Sequence, residues 1–240
     1  MTQQNIKITK SSNEIRDAFS SHIKKAISES SLTKDNFEFS ELHQLLTDKE
    51  ILLQQGTDQA TIFHKAVYSS FDKSDYFSSE FWKHYKFLCN EILNQLKIET
   101  DYFGEWAVQR FPTIRFQFPN NLSVFEFHRD SNYSHPLGEI NCFYAINECK
   151  DSSALHVEKN LGFEDYYPLN LDSGEYAILN TSIFKHGDFI NKTGKTRVSM
   201  DFRFIPSKNL KDEKSSLTKG IKFTSDSYFI NEKSMLGDYN

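Results

Sequence analysis

The sequence predicts a mainly β protein with α: an antiparallel double sheet of the jelly-roll kind, preceded by packing helices. Up to about residue 100 apolar positions recur at three- and four-residue steps, a helical period. Beyond it they alternate with a period of two, in segments separated by clusters of Pro, Asn, Gly and Ser. The 22 phenylalanines and 11 tyrosines are concentrated after position 60, and aromatics suit strands and fill the space between sheets.

The first helix is expected from Asn13 to about Ser31, where Ile15, Ala18, Phe19, Ile23, Ala26 and Ile27 form one apolar stripe. ELHQLLTDKEILLQQ, Glu41 to Gln55, repeats the pattern, and FSSEFWKHYKFLCNEILNQL, Phe77 to Leu96, does so again over about five turns. The strands follow: RFPTIRFQF, LSVFEFHRD, EINCFYAIN, EYAILN and TRVSMDFRFIP, with ALHVEK as a further short one. No helical pattern separates them, which argues for antiparallel sheets over alternating βα units. One domain is expected over 1–240: a helical part over 1–100, a jelly-roll core over 101–206, and a polar tail over 207–240 that wraps the surface or orders only in part.

A net charge of −5, with scattered lysines and no basic stripe, gives a nucleic-acid partner no footprint. An acidic small-molecule substrate is not excluded, because a single pocket can be basic inside an acidic protein. Cys89, Cys142 and Cys149 are odd in number, lack zinc-type spacing and suggest a reducing compartment. Neither a signal peptide nor a stretch of about 18 consecutive apolar residues is evident, so the expectation is a cytoplasmic protein off the membrane.

The chemistry is expected where strand parity gathers polar groups. In LSVFEFHRD, His128 and Asp130 share a strand face two residues apart, so an imidazole and a carboxylate can grip one ion. Two histidines and one carboxylate on one side of an octahedron leave positions open for co-substrate and oxygen, the arrangement that suits non-haem iron. His186 is the best third ligand, 56 positions after Asp130 and just before another alternating run. In KTGKTRVSMDFRFIP, Lys195, Arg197, Ser199, Asp201 and Arg203 share one face; Thr196, Val198, Met200, Phe202 and Phe204 share the other, which is expected to pack between the sheets. Arg197, eleven residues after His186, offers a fork for a carboxylate, and Ser199 offers a further hydrogen bond. The alternative for that polar face is an exposed strand with an Asp201–Arg203 ion pair.

His128-x-Asp130, His186 and Arg197-x-Ser199 together resemble the Fe(II)/2-oxoglutarate-dependent dioxygenases. The longer runs HRDSNYSHPLGEIN and HGDFINKTGKTRVSMDFRFIP are similar to the small hydroxylases of the streptomycin-biosynthesis type. The resemblance covers Val124 to Pro206. It implies a double-stranded β-helix (jelly-roll, cupin-like) core, Fe(II) held by His128, Asp130 and His186, and 2-oxoglutarate held at its far carboxylate by Arg197 and Ser199. It further implies O2-dependent hydroxylation of a small molecule, an amino acid or a secondary-metabolite intermediate, with succinate and CO2 as co-products. Related halogenases carry a small residue in place of the carboxylate, so Asp130 favours hydroxylation or another oxidation over halogenation. A cupin-like isomerase or binding module is the alternative, against which Arg197-x-Ser199 argues; a peptide or protein hydroxylase would need a long groove of which the sequence carries no sign.

The remaining polar residues are expected around the substrate. Glu139 and Asn141 share a face with Phe143 and suggest a pocket wall. Arg203, of the same parity as Arg197, is expected to bind a substrate carboxylate or pair with Asp201, while Arg115 is ambiguous in direction. His135, in the turn-like YSHPLGE, is expected at the pocket rim; His156 and Glu158 form a reserve metal pair in a different register.

Overall fold

The computed structural model describes residues 3–30, 37–46, 61–123, 127–210, 222–224 and 227–237. Helix α1 spans Asn13–Glu29, opened by the Ser12 hydroxyl, which accepts from the Ile15 amide. Its stripe Ile15, Phe19, Ile23, Ala26 and Ile27 is buried, as the periodicity predicts. Helix α2 spans Ile62–Phe71 and was not anticipated; α3 spans Glu80–Thr100, capped by Ser79 and ended by Asp101 in the left-handed region at φ 52°. Phe39–Leu45 is a 3-10 helix, so the start of the expected second helix is more tightly wound; its continuation over 47–55 lies outside the described residues.

Ten strands follow the predicted antiparallel arrangement among the described residues: β1 Ile8–Lys10, β2 Trp106–Gln109, β3 Thr113–Gln117, β4 Ile140–Ala145, β5 Leu155–Glu158, β6 Tyr166–Leu169, β7 Glu175–Leu179, β8 His186–Gly187, β9 Arg197–Pro206 and β10 Phe229–Asn231. The large sheet has the order β1-β7-β4-β9-β2-β10, with β3 also paired to β9; the small sheet is β6-β5-β8. Leu155, Val157 and Leu169 of the small sheet pack on Phe143, Ala145, Ala177 and Leu179 of the large one, so the two sheets lie face to face.

The alternation of β9 is as predicted, but its apolar face points the other way. Val198, Met200, Phe202 and Phe204 join the helices in the main core, with the Phe202 ring 5.1 Å from that of Tyr85. A second apolar layer, the helices, was available to cover that face. The polar face of β9 therefore lies between the sheets, where Arg197, Ser199, Asp201 and Arg203 are all buried. Register puts Arg115 opposite Ser199 and Asn141 opposite Arg203, on that same inner face.

Two further expectations are corrected. The described part of LSVFEFHRD is not a continuous strand: His128 makes a single bridge to His186, and Asp130 opens a 3-10 turn over Asp130–Tyr133, while 124–126 lie outside the described residues. The polar tail is not merely a surface wrap. Its strand β10 pairs with β2, helix α4 (Glu232–Leu236) follows, and Phe223, Phe229 and Met235 are buried. Aromatic residues five and more positions apart anchored a segment whose average composition is polar. Among the described residues, no helix is long and apolar enough to cross a membrane.

Candidate metal centre

Backbone pairing places the histidines. His128 and His186 exchange both amide-to-carbonyl hydrogen bonds, at 3.0 and 2.9 Å, so they sit opposite one another with rings 4.6 Å apart. Gly187 permits the approach: a Cβ there would come within 3.0 Å of the Phe127 Cα. Val157 of β5 pairs with His186 on the other side and fixes it in the small sheet.

The Asp130 amide donates to the Thr181 carbonyl at 2.8 Å, and this tie turns the carboxylate toward the histidines. Asp130 Oδ1 lies 3.6 Å from His128 Nε2 and 3.5 Å from His186 Nε2. Three donors around an ion at about 2.1 Å would be about 3.0 Å apart, so these side chains need close in only by fractions of an ångström. Oδ2 is held separately: it accepts from Thr181 Oγ1 at 2.7 Å and from Arg203 at 3.3 Å.

Protonation states suit ligation. Burial lowers His186 to about 4, leaving it neutral at ordinary pH. Burial works against ionised Asp130, but the Arg203 guanidinium outweighs it and holds the carboxyl well below its usual range. His186 and Asp130 therefore release no proton on binding a cation, which favours the bound state.

Arg203 anchors a buried charge network beneath this centre. Its Nε approaches Glu139 at 2.9 Å and its Nη1 donates to Asp201 at 2.7 Å, to Gln109 at 3.2 Å and to the Tyr228 hydroxyl at 3.2 Å. Arg115 donates to the other Asp201 oxygen at 2.8 Å. Glu139 also meets His135 Nδ1 at 2.9 Å, and burial pushes the Glu139 carboxyl up. Asp130, His135 and Glu139 form a second group close enough for a cation, but Arg203 already supplies the positive charge there. His135 packs on Phe223, with rings 4.1 Å apart.

The expected carboxylate fork is present and engaged. Arg197, 1% exposed, donates from Nη1 to Asp188 Oδ1 at 2.8 Å and to the Ser153 carbonyl at 2.9 Å. From Nη2 it donates to Ser123 Oγ at 2.6 Å and to Asp188 Oδ2 at 3.1 Å. Arg197 Nε, Ser199 Oγ and Asn141 Oδ1 are buried without a hydrogen-bond partner. Arg115, His128, Asn141, His186, Asp188 and Arg197 border one cavity of about 20 Å³, room for a single water. A larger groove of about 410 Å³, bordered by Ala26, Lys65 and Lys73 among others, shares no residue with it.

The reserve metal pair is not assembled. Glu158 accepts the amides of Gly162 and Lys185 at 2.8 and 3.0 Å, and His156 Nδ1 lies against the Ala154 carbonyl at 3.0 Å. Glu158 thereby braces the segment that leads into β8. The thiols of Cys89, Cys142 and Cys149 are buried, and burial pushes Cys149 up to about 12, which leaves it inert. Thr181, Asp188, Ser123 and Tyr228 are site residues that the sequence reading misses. Asp188 carried a signal, since His186-x-Asp188 repeats the spacing of His128-x-Asp130; the others join the site only through the fold.

Sheet architecture and donor set together define a two-sheet β protein with a two-histidine, one-carboxylate centre. No family model matches the chain. The streptomycin biosynthesis protein StrG of Streptomyces griseus is 26% identical over 174 residues, covering 72% of this chain and 77% of that protein. Among solved structures, the non-heme alpha-ketoglutarate-dependent carbocyclase SnoK from nogalamycin biosynthesis superposes with a TM-score of 0.51 at 6% identity, covering 95% of this chain and 92% of that one. HygX of Streptomyces hygroscopicus, crystallised with nickel and 2-oxoglutarate, gives 0.49 at 9% identity, covering 97% and 95%. The likeness to SnoK shows a shared fold.

Proposed function

We propose that the chain is an Fe(II)- and 2-oxoglutarate-dependent oxygenase that hydroxylates a small molecule. In this reading the sheets form a double-stranded β-helix core of one domain over 1–240. The observation that carries it is the convergence of His128 Nε2, His186 Nε2 and Asp130 Oδ1 on one point, with Arg197 bordering the same cavity. The donor set fits iron: two imidazoles and one carboxylate leave open positions on the ion. The unpartnered Arg197 Nε and Ser199 Oγ fit the far carboxylate of a 2-oxo dicarboxylic acid, since a buried donor without an acceptor is otherwise costly.

With iron and 2-oxoglutarate bound, the centre supplies oxidising power from O2, and the co-substrate leaves as succinate and CO2. The protein orients and excludes. Thr181 and Arg203 hold Asp130 Oδ2, which leaves Oδ1 for the metal. Arg197 and Ser199 fix the end of the co-substrate, and Asn141, on the inner face beside them, is placed to meet substrate or co-substrate. Glu139, His135 and Arg203 act on the substrate indirectly, by fixing the charge beneath the metal. The names of the relatives, which tie them to streptomycin and nogalamycin biosynthesis, support an intermediate of secondary metabolism as the substrate.

Purified protein given Fe(II), 2-oxoglutarate and air is expected to form succinate, faster when the right compound is present in a panel of amino acids and secondary metabolites. His186→Ala is expected to stop it. Undiminished succinate formation in that variant would overturn the assignment.

A further inference from the structure

We propose that Asp188 sets the affinity for the dicarboxylate co-substrate, by standing in for its far carboxylate in the fork of Arg197. The inference rests on the oxygenase reading above and goes beyond it, because nothing in that reading requires a protein carboxylate at this position.

A guanidinium has five N–H groups. In Arg197 four are used: two by Asp188, one by the Ser153 carbonyl and one by Ser123 Oγ. Ser123 also donates to Asp188 Oδ2 and so fixes the carboxylate in the fork. The arrangement is end-on and two-pronged, the geometry an incoming carboxylate would seek.

Two consequences follow. Without a second anion, Asp188 neutralises an arginine that is 1% exposed and would otherwise be a buried unpaired charge. When a dicarboxylate enters, it meets a neutral pair. Its carboxylate either displaces Asp188 or sits beside it at Arg197 Nε and Ser199 Oγ, with like charges a few ångströms apart. In both cases the charge of Asp188 weakens binding of the anion. The cavity of about 20 Å³ agrees with displacement, because the space a carboxylate would fill is largely taken by the protein's own.

The test is calorimetric titration of 2-oxoglutarate into Ni(II)-loaded wild type, Asp188→Asn and Ser123→Ala, with melting curves for each. Asp188→Asn keeps the shape and removes the charge, and its Kd is expected to fall about tenfold. Ser123→Ala only loosens the hold on Asp188 and is expected to give a smaller gain in the same direction; it also serves as the test should Asp188→Asn fail to fold. Unchanged or weaker binding in the folded variants, with wild-type binding intact, would overturn the role of Asp188 while leaving the oxygenase reading standing. Binding to none of the three, although Ni(II) is held, would overturn the co-substrate reading and this inference with it.

Discussion

The guanidinium of Arg203 reaches Asp130 at Oδ2, 3.3 Å away, whereas Oδ1 is the oxygen nearest both His128 and His186. One carboxylate thus serves two masters with separate atoms. Arg203 also meets Glu139 and Asp201, so removing it leaves three buried carboxylates without their shared cation. Arg203→Gln is therefore expected to destabilise the fold by about 3–5 kcal/mol, read as a shift in the urea midpoint. A midpoint equal to wild type would show that Arg115 and His135 alone suffice.

Thr181 contributes orientation with little bulk, since its hydroxyl donates to Asp130 Oδ2 at 2.7 Å. Loss of a hydrogen bond that aims a ligand typically lowers metal affinity about 10- to 100-fold. Thr181→Val is expected to weaken Co(II) binding within that range in a direct titration, and Thr181→Ser to restore it. Equal affinities across the three proteins would mean that the Thr181 carbonyl and Arg203 alone aim the carboxylate.

Acid sensitivity should have a source far from the metal. His22 lies among the rings of Phe71, Tyr76 and Phe81, and burial, with Lys25 and Lys73 adding to it, lowers it to about 4. The unfolded chain holds a proton on this histidine up to about pH 6.5, and the folded chain does not. Between pH 6.5 and 4 the unfolded state binds more protons, so stability falls as pH falls through that window. About 2 kcal/mol is expected from this group after allowing for its partial exposure. His186 is shifted in the same direction, so His22→Gln should flatten, without abolishing, the slope of urea midpoint against pH. An unchanged slope would refute the contribution of His22.

Strand parity made much of this site legible, and its limit is instructive. The two faces of β9 could be sorted from sequence because a strand has a period of two: Arg197, Ser199, Asp201 and Arg203 do share one buried face, whereas Lys195, placed with them, precedes the strand and is exposed. Parity says which residues travel together but not which layer they meet, and the apolar set turned to the helices. His128 and Asp130 were found through their spacing, although a bridge and a 3-10 turn place them where a strand was expected. Thr181 and Tyr228 carried no local signal, because each reaches the site from a segment whose pairing depends on the completed sheet. The tail hid its role for the same reason: Tyr228 and Phe223 meet Arg203 and His135 in a segment that the long-range pairing of β10 with β2 holds against the sheet.

Gly187 offers a way to test the two histidines through the backbone, without touching any donor atom. It pairs with His156 in the small sheet and lies so close to Phe127 that an added methyl would meet the Phe127 Cα at 3.0 Å and its ring at 3.1 Å. Gly187→Ala must push these segments apart by a few tenths of an ångström. The His128–His186 bridge, directly alongside, sets the separation of the two imidazoles. Metal geometry tolerates only about 0.2 Å of error in each bond, so the displacement falls mainly on ligation and less on the packed core. Co(II) affinity is expected to drop about tenfold, with a visible absorption spectrum altered from wild type, while the melting temperature of the metal-free protein changes little. A lowered melting temperature with wild-type Co(II) affinity would show instead that the strain spreads into the small sheet and leaves the histidine pair intact.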